Sequence, residues 1–135
     1  MNKKIRTMKS IWLVAFLATA SAWTPADQSI SKITRALGSG DASSLGNYFD
    51  RTIDLAVVDR EDTYSRAEAI AVVEKFFRTH PPRSFAQVHQ GVSRTKDAQY
   101  CIGNLSTDSG VFRVYIYLKS SGGQNLIQEL RFDEE

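Results

Sequence analysis

Residues 99–119 read QYCIGNLSTDSGVFRVYIYLK, from Gln99 to Lys119. In the second half Phe112, Val114, Ile116 and Leu118 alternate with Arg113, Tyr115, Tyr117 and Lys119, the period of two that belongs to a half-buried strand. Thr107-Asp108-Ser109-Gly110 breaks the run with a hairpin-sized turn, so 99–107 and 111–119 are predicted to pair antiparallel. The alternation also assigns faces. Phe112, Val114, Ile116 and Leu118 must be covered by another layer, and Arg113, Tyr115, Tyr117 and Lys119 form an outer side.

Working outward, Ser120-Ser121-Gly122-Gly123 is a second turn, and Asn125 to Asp133 continues the meander. Leu126, Leu130 and Phe132 are expected inward with Gln128 as a polar member, and Ile127, Glu129 and Arg131 outward. Upstream, Arg83 to Arg94 has the same period. It directs Ala86, Val88, Gln90 and Val92 inward and Phe85, Gln87 and His89 outward, although one bulge exchanges such assignments beyond it.

Before Arg83 the period is helical. Thr24-Pro25-Ala26-Asp27 supplies a cap, a first-turn proline and an acid, and Ile30, Ile33, Thr34 and Leu37 follow at helical spacing until Gly38, predicting a helix over 25–37. Asp41 caps a short second helix with Leu45, Tyr48 and Phe49 on one face before a turn at Asp50. Thr52 to Val58 reads as a strand, and Asp59-Arg60-Glu61-Asp62 as the turn that ends it. Ser65-Arg66-Ala67-Glu68 is a capping box. The helix it opens should bury Ala69, Ile70, Val73, Phe76 and Phe77 and stop at Pro81-Pro82. The expected fold class is α+β: three N-terminal helices packed on a curved antiparallel sheet of four to five strands.

The N-terminus reads differently. Lys3, Lys4, Arg6 and Lys9 precede the apolar Ile11 to Ala20, and Ala20-Ser21-Ala22 is a cleavage pattern, so 1–22 is expected to be a signal peptide and 23–135 one domain. Cleavage falls before Trp23 or, at a second pattern, before Ser21, and Met8 is an alternative start. A helix over 11–22 is roughly 18 Å long against a hydrocarbon core of about 30 Å. With no cysteine before Cys101 to carry a lipid, the expectation is an exported domain, periplasmic or extracellular, without stable membrane insertion. Beyond residue 22 the chain has 13 Lys and Arg against 15 Asp and Glu. The basic pI thus belongs to the leader, and nucleic acid is not an expected partner. Cys101 cannot form an internal disulfide and, within Tyr100-Cys101-Ile102, is expected to be buried and inert.

The order of elements resembles the nuclear transport factor 2-like cone, also grouped as cystatin-like. Gly40-Asp41-Ala42, Tyr48-Phe49-Asp50, Lys75-Phe76-Phe77, Gln99-Tyr100-Cys101-Ile102-Gly103 and Gln128-Glu129-Leu130-Arg131-Phe132 make the chain similar to the domain of unknown function 4783 family of small exported bacterial proteins. That resemblance covers nearly all of 23–135 and implies the cone, but no catalytic residues. Cones of this shape often hold a ligand between sheet and helices, and some relatives in the wider fold are isomerases or dehydratases with an Asp or His base and a Tyr or acid donor.

Such a set is hard to assemble here. His80 reads as a helix cap beside Pro81, His89 lies on the outer side of its strand, and Asp54, between Ile53 and Leu55, reads as the solvated face of an edge strand. Gln90 and Gln128, inward amides, and Tyr48 are the candidate pocket, and amides bind rather than transfer protons. No catalytic residues, cofactor or metal are expected. The function expected is a non-catalytic ligand-binding or protein-interaction module; the alternative is an isomerase- or dehydratase-like enzyme using Asp54 or His89. The outer face, with Phe85, Gln87, His89, Arg113, Tyr115, Tyr117, Ile127 and Glu129, is expected to contact an unknown protein or a second copy in a homodimer, because large amphipathic rings favour interfaces. Arg113 is expected to pair with Glu129 there.

Overall fold

The computed structural model describes residues 25–135, and the expected leader, 1–22, lies outside them. The elements run α1 (Pro25–Ser39), α2 (Ala42–Gly46), β1 (Phe49–Val57), β2 (Arg60–Ser65), α3 (Arg66–Thr79), β3 (Pro82–Val92), β4 (Ala98–Thr107), β5 (Gly110–Ser121) and β6 (Gln124–Glu134).

Local chemistry sets the helix ends. Gly40, at φ 68°, closes α1 with a pair of backbone bonds, Gly40 N to Leu37 O at 3.2 Å and Asp41 N to Ala36 O at 2.9 Å, the arrangement in which a left-handed residue satisfies the last carbonyls. Helix α1 therefore runs past Gly38, which the sequence had as its stop. Asp41 caps α2 by accepting from Ser44 N, and Ser65 caps α3 by accepting from Glu68 N while its hydroxyl donates to Glu68 Oε1 at 2.8 Å. Phe49 is not on the face of α2 as expected but begins β1.

All six strands form one sheet in the order β2-β1-β6-β5-β4-β3, rather than the expected four to five. The additional strand is β2, read from sequence as a turn. Its exposed Arg60-Glu61-Asp62-Thr63 has no apolar alternation because it is an edge that buries neither face, and charge on an edge discourages pairing with another chain. The sheet is also not wholly antiparallel, since β1 runs parallel to β6. The remaining neighbours are antiparallel, and left-handed Gly122 and Gly123 make the β5–β6 turn.

The helices cover one face of this sheet. Phe112, Val114, Ile116 and Leu118 are buried there as expected, beneath Ile33, Leu37, Val73, Phe76 and Phe77. Two bulges correct the faces of the flanking strands. On β6, Tyr117 pairs with Glu129 but Leu118 with Ile127, so Gln128 is the extra residue and Ile127, expected outside, is fully buried. On β3, Gln87 pairs with Gly103 but His89 with Ile102, which makes Val88 the extra residue. Beyond it Gln90 and His89 keep their expected sides. Before it Phe85, opposite buried Leu105, packs against the core, and Gln87 shares that face.

Candidate functional site

The candidate pocket residues do not converge. Tyr48 borders a groove of about 390 Å³ with Gln28, Lys32, Asn47, Gln124 and Asn125, beside the β5–β6 turn. Gln128 donates to Asp50 Oδ2 at 3.2 Å in a notch where β1 leaves register with β6, shared with Thr52 and Asp54. Gln90 is exposed and accepts from Gln87 Nε2 at 2.8 Å. The three amide and phenol groups thus serve three separate places.

The proton-transfer candidates point away from the helices. Asp54 is exposed and accepts from the Thr63 hydroxyl at 2.7 Å across the β1–β2 ladder. His89 is exposed and on the side opposite Cys101 and Leu105. Neither lies within an enclosed cavity. His80 does cap α3, but its ring also packs 5.0 Å from Phe76 and 4.9 Å from Phe112, and its Nδ1 meets Ser109 Oγ at 2.6 Å. Cys101 is fully buried, and burial pushes its thiol up to about 11. Among the described residues no group of three or more metal-ligating side chains comes together.

On the outer face, His89, Arg113, Tyr115, Tyr117 and Glu129 remain, while Phe85, Gln87 and Ile127 belong to the other side. Tyr100 joins them, stacked on Tyr115 at 6.5 Å between ring centres and 39% exposed. Its strand neighbours Cys101 and Leu105 are buried, so alternation places it outside, a signal present in the sequence. The ion pairs differ from expectation. Arg131 bridges Glu129 at 3.2 Å and Glu61 at 3.1 Å, and Arg113 reaches Glu135 at 3.5 Å. Register explains this, since Glu129 lies opposite Tyr117 and Arg113 opposite Asp133.

A further concavity, with a largely apolar lining, was not anticipated. A cleft of about 400 Å³ opens between α3 and the β1–β2 hairpin, within the size range of roughly 300–1,000 Å³ typical of small-molecule sites. Buried Leu55 and Phe76 lie beside half-buried Val57, Tyr64 and Val72, and Arg60, Lys75, Thr79 and His80 complete the lining with Val58 and Asp59. Val58 sits at φ 57° and donates its N–H to Phe132 O at 2.8 Å. A β-branched residue there is strained, and the hydrogen bond to β6 holds the hairpin wall in place. The available signal was Val72, an apolar residue outside the buried stripe of α3.

Residues 30–133 match the family described as Domain of unknown function (DUF4783). A DUF4783 family protein from Bacteroides ovatus superposes with a TM-score of 0.74 at 28% identity, covering 78% of this chain and 94% of that one. Another from Bacteroides uniformis gives 0.74 at 25%, with 78% and 95% covered. An NTF2-like protein of unknown function from Shewanella baltica gives 0.61 at 14%, with 80% and 89% covered, a likeness of fold alone. No curated protein matches the chain.

Proposed function

The chain belongs to the DUF4783 family, whose function is unknown, and on that premise we propose that it is a non-catalytic binding module that takes a small apolar ligand in the cleft between α3 and the β1–β2 hairpin. One observation carries the reading: Leu55 and Phe76 border a solvent-connected concavity whose walls are half-buried Val57, Tyr64 and Val72. Apolar surface held open to water in a concave site is stabilised by a guest that displaces that water. Asp54 and His89, the bases that the enzyme alternative would use, lie away from this cleft, and His80 in its lining has its Nδ1 tied to Ser109, which favours binding over turnover. We place the protein outside the cytoplasm on the strength of its leader pattern; among the described residues no helix is long and apolar enough to cross a membrane. Titrating 1-octanol into the isotopically labelled protein tests the cleft. Amide shift changes should cluster at Leu55, Val57, Tyr64, Val72 and Phe76. Saturable binding elsewhere, or none, would overturn the assignment.

A second reading, self-association through the outer face, is favoured by the stack of exposed Tyr100 on half-buried Tyr115, with Tyr117 beside it on β5. Sedimentation at micromolar concentration should find a dimer that the double change Tyr115→Ser, Tyr117→Ser converts to a folded monomer. A monomeric unmutated protein removes the homodimer.

A further inference from the structure

We propose that the cleft selects an amphipathic anion, an apolar body carrying one carboxylate, rather than a neutral or cationic apolar molecule. This rests on the cleft being the binding site. Lys75 and Arg60 line it from opposite walls, Lys75 from α3 and Arg60 from the first position of β2. Helical spacing sets Lys75 on the same side as Val72 and Thr79, three and four residues away, so its ammonium stands over an apolar wall.

Among the described residues neither cation has a partner. The ion pairs of the described residues join Arg83 to Asp108, Arg113 to Glu135 and Arg131 to Glu61 and Glu129. Neither Lys75 nor Arg60 makes any of these or a side-chain hydrogen bond. Of the acids nearby in sequence, Glu61 is engaged with Arg131 and Glu68 with the Ser65 hydroxyl, and Glu74, next to Lys75, is not part of the cleft lining. One acid, Asp59, also lines the cleft, which leaves one positive charge in excess among Arg60, Lys75 and Asp59. His80 is itself occupied, since its Nδ1 is tied to Ser109.

Leu55, Val57 and Phe76 would hold the apolar body while the carboxylate lies at the rim between the two cations. The long stems of Lys75 and Arg60 can cover apolar surface with their charged ends in water. A carboxylate there gains charge-assisted hydrogen bonds without entering a dry environment. Solvent screening keeps each exposed pair modest, so two together give a preference rather than an absolute requirement.

Calorimetric titration with octanoate, 1-octanol and octylamine tests this on the purified protein. Octanoate should bind about fivefold tighter than octanol, with octylamine weakest. Arg60→Glu and Lys75→Glu, both at exposed positions that leave the core intact, should each erase the octanoate advantage, read within each variant as the ratio of octanoate to octanol affinity. Equal affinity for octanoate and octanol, or an advantage that survives both reversals, overturns the charge selection and leaves the cleft reading standing. Failure of all three probes to bind overturns both.

Discussion

Tyr100 lies over Gly91, so that a Cβ at residue 91 would land on the tyrosine ring, at its Cε1, Cζ and hydroxyl. The ring is the free end of a side chain on a partly exposed surface and can swing aside. Gly91→Ala should therefore cost less than about 1 kcal/mol, and it should break the stack with Tyr115. Gly103, on the inner face of the next strand, is different. Its Cβ would stand 2.6 Å from the Ala86 carbonyl oxygen as well as against the Phe85 ring, and backbone cannot move aside. Gly103→Ala should cost about 1–3 kcal/mol. Urea unfolding of the two variants orders them, and equal losses would contradict the assignment.

Val58 should be replaceable with a gain. Its left-handed backbone costs a β-branched residue about 1–2 kcal/mol, and asparagine tolerates that region. The side chain is 37% exposed, so little packing is lost. Val58→Asn is expected to raise stability by about 1 kcal/mol, measured as a higher urea midpoint at unchanged slope.

Cys101 should be chemically silent in the folded protein. With the thiol at about 11 rather than its ordinary 9.0 and no exposed surface, the reactive thiolate is scarce and shielded. Labelling by a disulfide reagent in mildly alkaline buffer should proceed only as fast as unfolding. Cys101→Ser sets a hydroxyl in the apolar core and should cost about 1–3 kcal/mol.

The pH dependence has two limbs of opposite sign. Hydrogen bonds from the Thr95 and Ser93 hydroxyls lower the Asp97 carboxyl below 3.8, and the Ser44 hydroxyl and N–H lower Asp41. The charged forms are favoured by folding, so their contribution is complete above 3.8 and lost as pH falls through the lowered folded values. Burial, followed by Glu129, Tyr117 and Tyr100, raises Tyr115 above 10.0. Here the neutral phenol is favoured, and its contribution is complete below 10.0 and lost as pH rises through the raised folded value. Urea midpoints across pH should show Asp97→Asn flattening the acid limb and Tyr115→Phe the alkaline one.

What was legible in the sequence followed from periodicity in elements buried on one side. The inward set of β5 and the cap and buried stripe of α3 are of this kind. The misread features each involve geometry without a compositional mark. β2 is an exposed edge whose one partly buried apolar side chain is Tyr64, so nothing alternates along it. The bulges at Val88 and Gln128 each shift a strand by one residue, and no turn residue announces them; Phe85, Gln87 and Ile127 changed sides for that reason alone. The parallel pairing of β1 with β6 joins residues as far apart as Leu55 and Leu130, beyond the reach of local pattern. Nor does the cleft have a motif, because its lining comes from β1, its hairpin and the solvent-side edge of α3.

The position of β6 bears on when the molecule can become whole. It is the last strand in chain order, yet in the sheet it lies between β1 and β5. Until it is in place, the β1–β2 hairpin and the β3–β4–β5 meander share no ladder, and neither half can bury the surface that both present to α1 and α3. Contacts so distant along the chain make for slow assembly. A nascent polypeptide of this sequence accordingly keeps its apolar faces uncovered until its final strand emerges from the ribosome.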